Sequence, residues 1–186
     1  MKELSLHLLD IAQNSLSAGA TEVTLSLIEH SGILTMTVAD NGCGMSPEFL
    51  EKVMDPFTTT RTTRKVGFGI PLLRMTAQQT GGDVTIESSP GVGTTTTAVF
   101  HTGHIDCPPL GDIAGTLSLF LQGAPDTLET RYIHENDAGR FELDTREIRA
   151  ILGEDISLSA PDVALWLRDY IAENEAGLHL EKELCP

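Results

Sequence analysis

Asp10 and Asn14 stand four residues apart in a segment whose apolar positions, Leu4, Leu8, Ile11 and Ala12, recur at helical spacing. A carboxylate and an amide therefore share one helix face. A second carboxylate, Asp40, opens Asp40-Asn41-Gly42-Cys43-Gly44 directly after an alternating apolar stretch. Arg61, Arg64 and Lys65 precede Gly67-Phe68-Gly69 at the start of another helical stretch, and Gly91-Val92-Gly93-Thr94 leads into a strand. An amide oxygen can ligate a hard cation, a carboxylate can accept a hydrogen bond or a proton, and glycine N–H groups at a helix start can cradle phosphate. Taken singly, each glycine pair has a plainer reading as a turn that needs positive φ. The order of the whole set raises it above that reading.

The elements that must position these residues follow from the pattern. Val23, Leu25 and Leu27, then Leu34, Met36 and Val38, alternate with polar residues around His30-Ser31-Gly32, which predicts an antiparallel hairpin. Ser46-Pro47-Glu48 reads as a cap with proline in the first helical position, opening a short helix to about Met54. Residues 55–69 lack periodicity and are rich in Thr, Arg and Gly, a functional kind of loop. A helix over Ile70–Gln79, stopped by Gly81-Gly82, gives way to strands at Val84/Ile86 and Thr95–Phe100.

Beyond His101 the pattern changes. Leu110, Ile113, Leu117 and Phe120/Leu121 suggest a helix, although Leu117, Leu119 and Leu121 alternate and allow a strand. A hairpin is expected around Asn136-Asp137-Ala138-Gly139, a helix from Asp144-Thr145 to Leu152, and a last helix from Pro161 through Glu173. Val163, Leu165, Trp166 and Tyr170 are its apolar members, with Trp166 and Tyr170 expected in the core.

The 186 residues hold 12 Lys+Arg against 27 Asp+Glu, a formal charge of −15. Residues 1–100 hold 6 basic and 10 acidic side chains (−4), and residues 101–186 hold 6 and 17 (−11). The net field repels polyanions, so nucleic acid is disfavoured as a partner and a basic protein surface fits better. With 40% hydrophobic and 21% charged residues, the composition is that of a soluble globular protein. Leu4–Ile11 is broken by His7 and Asp10, so it cannot serve as a signal-peptide core, and no run approaches a membrane span. Cys43, Cys107 and Cys185 are odd in number and widely spaced, which argues for a reducing compartment and a cytoplasmic location. His7 and Cys43 carry no inferred chemistry.

Over residues 1–100 the motif order resembles the GHKL ATPase superfamily. Asn14-Ser-Leu-Ser-Ala-Gly-Ala-Thr21 and Asp40-Asn-Gly-Cys-Gly-Met45 resemble the mismatch-repair ATPases. Asp55-Pro-Phe-Thr-Thr-Thr-Arg61, Gly67-Phe-Gly-Ile-Pro-Leu-Leu-Arg74 and Ser89-Pro-Gly-Val-Gly-Thr-Thr95 resemble the catalytic domain of sensor histidine kinases. The segment after about residue 105 is similar to the tail of small stand-alone ATP-binding proteins of anaerobic bacteria, some associated with iron-hydrogenase systems.

The resemblance implies an α/β two-layer sandwich of the Bergerat type: a mixed, mostly antiparallel sheet with helices on one face. It divides the chain into an ATP-binding domain, residues 1–104, and an acidic α+β module, residues 105–186. That module is expected to pack on the exposed sheet edge or to form a dimer contact. The implied cofactors are ATP and Mg²⁺, with Asn14 as the metal ligand. The implied nucleotide contacts are Asn14, Asp40, Gly42, Gly44, Met45, Arg61, Lys65, Gly67, Phe68, Gly69, Ile70 and Thr94.

Physical reasons accompany these roles. Asp40 can accept the adenine amino hydrogen bond, whereas guanine would set an acceptor against it, which predicts ATP over GTP. The resemblance implies that the Thr94 hydroxyl supports adenine, directly or through water. Arg61, Arg64 and Lys65 are three of the six cations in the first 100 residues, suited to a triphosphate. Asp10 stands where hydrolysing relatives carry a Glu general base. Its arm is shorter by roughly 1.5 Å, and a misplacement near 1 Å costs on the order of 10²-fold, so Asp10 is a weakened base or only accompanies the metal shell.

Three functions are open from sequence. One is a kinase-like protein acting on a separate protein partner through ATP-dependent phosphoryl transfer or hydrolysis. Another is a nucleotide-gated interaction module without transfer. A third is a DNA-repair-type ATPase, which the acidic charge opposes.

Overall fold

The computed structural model describes residues 2–54, 69–153 and 156–180. The chain opens with α1 (Leu4–Ser17), followed by the hairpin β1 (Glu22–His30) and β2 (Ile33–Asp40). Its turn places Ser31 and Gly32 both at positive φ (52° and 76°), the geometry that matches the twist of a tight hairpin. α2 (Pro47–Met54), α3 (Gly69–Gln79), β3 (Val84–Ser89) and β4 (Gly93–His101) complete the first half. α4 (Ile113–Gly123), β5 (Glu129–Glu135), β6 (Arg140–Asp144), α5 (Thr145–Leu152) and α6 (Pro161–Leu180) follow. Residues 113–123 form the helix rather than the strand that the same leucines allowed.

All six strands join one sheet in the order β3-β4-β2-β1-β5-β6. β5 runs parallel to β1, pairing Glu22–Ile28 with Glu129–Glu135, and every other described pairing is antiparallel. Val23, Leu25 and Leu27 on β1, Leu34, Met36 and Val38 on β2, Ala98 and Phe100 on β4, and Tyr132 on β5 are buried on one face. Thr24, Ser26, Thr35, Thr37, Thr95 and Thr97 occupy the alternate positions and are only partly covered. One face packs on helices while the other stays wet, the two-layer arrangement expected of antiparallel strands that alternate apolar and polar.

The helix layer joins the two halves of the chain. Leu4 and Ser5, at the start of α1, donate their backbone N–H groups to the carbonyls of Pro109 and Leu110 (3.0 and 2.8 Å), so residues from the second half cap the first helix. Ile113, Leu117, Phe120 and Leu121 of α4 are buried in the same core as Leu8, Leu9 and Ile11.

α6 departs from its sequence reading in two ways. It runs on to Leu180, because Ala164, Leu167, Ile171, Glu175 and Leu178 continue one buried stripe through Asn174 and Gly177. That stripe is offset from the aromatic residues, so Trp166 and Tyr170 are not core. They are 46% and 38% exposed and stack on each other at 5.4 Å. Glu175 is buried because it is fully paired: the Tyr132 hydroxyl donates to Oε1 (2.9 Å) and His134 Nδ1–H to Oε2 (2.7 Å). Burial and the Glu175 carboxylate together push the Tyr132 phenol well above its ordinary pKa.

His7 is a core residue between α1 and α3, which fits its lack of assigned chemistry. The Thr76 hydroxyl donates to the Leu72 carbonyl (2.9 Å), so His7 must hold its proton on Nε2 and donate it to Thr76 Oγ1 (3.2 Å). Its Nδ1 has no hydrogen-bond partner among the described residues. Desolvation therefore lowers the ring pKa from 6.5 to about 4. Between those values the unfolded chain binds a proton that the folded chain refuses, so stability falls as pH drops through that window. The loss expected from this group is about 3 kcal/mol. Denaturant midpoints of wild type and His7→Leu, compared near neutral pH and near the lower pKa, measure it: the variant should lose less on acidification. Parallel acid losses in both proteins would refute the assignment.

Candidate nucleotide-binding site

Register brings three polar side chains into a row. Asp40 at the end of β2 pairs with Thr94 at the start of β4, and Thr94 pairs with Ser88 at the end of β3. The alternation that buries Val38, Thr96 and Val84 puts all three on the helix-covered face. Asp40 is held at both oxygens: Ser15 of α1 donates its hydroxyl to Oδ2 (2.7 Å), and the Gly42 N–H donates to Oδ1 (2.9 Å). Each carboxylate oxygen keeps a further lone pair. The result is a fixed hydrogen-bond acceptor rather than a freely rotating side chain.

The glycine turn that follows is sewn to its surroundings. Asn41 Oδ1 accepts the N–H groups of Thr21 and Glu22 (2.8 and 2.9 Å), and the Cys43 N–H reaches the Ala18 carbonyl (2.9 Å). On the far side the Gly91 N–H donates to the Cys43 carbonyl and the Met45 N–H to Ser88 Oγ, both 2.8 Å. These bonds leave no room for side chains. A Cβ on Gly42 would lie 2.8 Å from Ala18 Cβ, and one on Gly44 (φ +65°) would lie 2.0 Å from the Ser89 carbonyl oxygen. Met45 is partly buried and packs against the core.

Asp10 and Asn14 lie along α1, the first half-buried and the second exposed. The N-terminus of α3 comes against Asp10: a Cβ on Gly69 would stand 3.3 Å from Asp10 Cβ and 3.5 Å from Oδ2. Gly69 and Ile70 are buried at that contact. Desolvation raises the Asp10 pKa above the ordinary aspartate value, which makes its carboxylate a better proton acceptor. No hydrogen bond among the described residues fixes its orientation. Arg61, Arg64, Lys65, Gly67 and Phe68 lie outside the described residues.

The geometry is a hydrogen-bonding row, Asp40, Thr94 and Ser88, with the glycine turn following Asp40 and with α1, the helix that also carries Asp10 and Asn14, joined to Asp40 through Ser15. The family model described as histidine kinase-, DNA gyrase B-, and HSP90-like ATPase matches residues 1–104. The chain belongs to this HATPase_c family. Its first 104 residues are a histidine-kinase-like ATPase domain, and ATP binding is the shared property of that fold. The histidine protein kinase DivJ of Caulobacter vibrioides is 36% identical over 99 residues, 51% of this chain and 16% of that protein. The sensor protein EvgS of Escherichia coli K12 is 29% identical over 102 residues, 52% of this chain and 8% of that protein. A probable C4-dicarboxylate sensor kinase of Bacillus subtilis is 28% identical over 78 residues, 42% of this chain and 15% of that protein. The chain thus spans at most 16% of the length of these relatives. No described helix is long and apolar enough to cross a membrane.

Within this HATPase_c domain, sequence reasoning missed Ser15, Ser88 and Asn41. Ser15 directly follows Asn14, and Ser88 falls two positions after Ile86 on the same strand face, but neither spacing says which side chain they meet. Pairing register supplies that, and register is a property of the whole sheet.

Proposed function

We propose that this chain is a Mg-ATP-dependent regulator in signalling, which uses ATP to phosphorylate, or to control through hydrolysis, a separate protein partner. The observation that supports it most is the Asp40 carboxylate, pinned by Ser15 and Gly42 beside Thr94. In this reading Asp40 accepts the adenine amino hydrogens, Thr94 completes the base edge, and Gly42, Gly44 and Met45 shape the turn around it. Asn14 ligates Mg²⁺. Its exposed amide oxygen, on the same helix as Asp10, suits an octahedral hard cation whose remaining ligands are waters and phosphate oxygens. Gly67, Phe68, Gly69 and Ile70 present backbone groups to the phosphates, with Arg61 and Lys65 as counter-charges. Asp10 is the general base.

The second reading is a nucleotide-gated interaction module without transfer. The short arm of Asp10 favours it. Asp10→Asn separates the two: loss of turnover with loss of partner control supports transfer, and intact control supports gating. In both readings the partner surface lies in the acidic second half, where a basic face would be attracted. A homodimer and a cytoplasmic location belong to the same proposal, and nucleic acid does not.

Isothermal titration with ATP, ADP and GTP, with and without Mg²⁺, tests the site. Asp40→Asn places an NH₂ donor against the adenine amino group and loses charge-assisted bonds from Ser15 and Gly42. The expected cost is about 2–3 kcal/mol, roughly 30- to 150-fold in affinity. Equal binding of GTP, or an unchanged Kd in the variant, would remove the base-recognition role from Asp40.

A further inference from the structure

Ser88 makes more polar contacts than a half-buried strand hydroxyl needs. Its Oγ lies 2.8 Å from the Met45 backbone nitrogen, 3.0 Å from the Gly93 carbonyl oxygen and 2.9 Å from Thr94 Oγ1. A serine hydroxyl has one proton and two lone pairs. One lone pair is committed, because the Met45 N–H can only donate. The single proton then has two acceptors within reach, Gly93 O and Thr94 Oγ1, and the choice between them decides what Thr94 can do.

If Ser88 donates to the Gly93 carbonyl, its second lone pair is free to accept the Thr94 proton. Thr94 is then spent internally and turns only lone pairs toward the space beside Asp40. If Ser88 donates to Thr94 Oγ1 instead, the Thr94 proton is released and Thr94 becomes a donor. The first arrangement satisfies both hydroxyls within the protein, the second leaves the Thr94 proton for a ligand or a water, and the two interconvert by two O–H rotations with no proton leaving its oxygen.

Asp40 is a fixed acceptor next to Thr94 across the β2–β4 pair. The base edge that fits an acceptor beside a donor is one that offers a donor beside an acceptor, as adenine does with its amino group and N1. We infer that Ser88 is a positioning residue that switches Thr94 from an internally satisfied hydroxyl into the hydrogen-bond donor that reads N1 of the base, directly or through one water. This rests on the reading that an adenine nucleotide binds beside Asp40. The consequence is specificity set from a residue that never touches the base. Replacing Ser88 removes the acceptor that holds the resting state and the donor that holds the reading state, so Thr94 rotates without a preference.

The test compares ATP with 1-deaza-ATP, in which a C–H replaces N1, by titration calorimetry on the full chain. Wild type should prefer ATP by roughly tenfold, the worth of one well-placed hydrogen bond. Thr94→Val should abolish the preference. Ser88→Ala should reduce it to within about threefold, and adding Ser88→Ala to Thr94→Val should change the ratio no further, the coupling that a double-mutant cycle isolates. Ser88→Thr, which keeps the hydroxyl, should retain the wild-type ratio. Ser88→Cys, nearly isosteric with a weaker donor and acceptor, serves in place of Ser88→Ala if the alanine variant does not fold, and should also compress the ratio. Equal weakening of both nucleotides in the Ser88 variants means a purely structural role and overturns the inference. An unchanged ratio overturns it too. Failure of wild type to bind ATP at all would instead overturn the nucleotide reading beneath it.

Discussion

A fragment cut after residue 104 is expected to lose cooperative folding and measurable ATP affinity, although it contains the whole family match. Removing residues 105–186 strips β5 from β1 and leaves the N–H and C=O groups of Glu22–Ile28 as an open edge. It uncaps Leu4 and Ser5, whose partners are Pro109 and Leu110, at the helix that carries Asp10 and Asn14. It also removes Ile113, Leu117, Phe120 and Leu121, which share a core with Leu8, Leu9 and Ile11. Uncovering one large apolar side chain costs about 1.5–3 kcal/mol. A few such exposures approach the whole stability of a domain, on the order of 5–15 kcal/mol. Circular dichroism, urea unfolding and calorimetry on residues 1–104 read the outcome. A soluble fragment with a sharp unfolding transition and near-wild-type ATP affinity would make the second half an independent module.

Gly93→Ala should be the most damaging single substitution near the site. Gly93 sits at φ +132°, and a Cβ there would lie 1.9 Å from the Asp40 carbonyl oxygen and 2.9 Å from Asn41 Cα. Both obstacles are backbone, so β4 or the Asp40 turn must move, and either shift disturbs the Asp40–Thr94 register. We expect a loss of about 3 kcal/mol or more, roughly 6–12 °C in Tm for a chain of this size. ATP affinity should fall with it. Gly91→Ala is the control. Gly91 is also left-handed (φ +74°) but has nothing within 4 Å of its would-be Cβ, so only the backbone term of about 1–2 kcal/mol applies. Similar losses in the two variants would mean that the close approach to Asp40 is not what demands glycine at 93.

What the sequence could show divides along local and non-local lines. The α1 face with Asp10 and Asn14, the turn at Ser31-Gly32, the cap at Ser46-Pro47 and the glycine turn after Asp40 are set by neighbours a few residues away, so they were legible. The pairing of β1 with β5 was not, because nothing in residues 22–28 names residues 129–135 as partners. Ser15 and Ser88 were hidden for the same reason: each matters through a side chain on another element. Trp166 and Tyr170 misled because large aromatics suggest a core, while the buried stripe of α6 runs through Ala164, Leu167, Ile171, Glu175 and Leu178. Glu175 could not be read as interior from sequence, since its burial rests on hydrogen bonds from Tyr132 and His134 on another element.

The parallel β1–β5 pairing also bears on how the molecule is made. Glu22 and Glu129 are neighbours in space yet 107 positions apart along the chain (129 − 22). Long closures of this kind slow folding, because chain entropy must be lost before the contact returns any energy. During synthesis the helix bearing Asp10 and Asn14 leaves the ribosome about a hundred residues ahead of its capping carbonyls at Pro109 and Leu110 and of the strand β5 that pairs with β1. The nascent N-terminal half therefore carries its motifs for several seconds, at roughly 5–20 residues per second, before it can hold them in place.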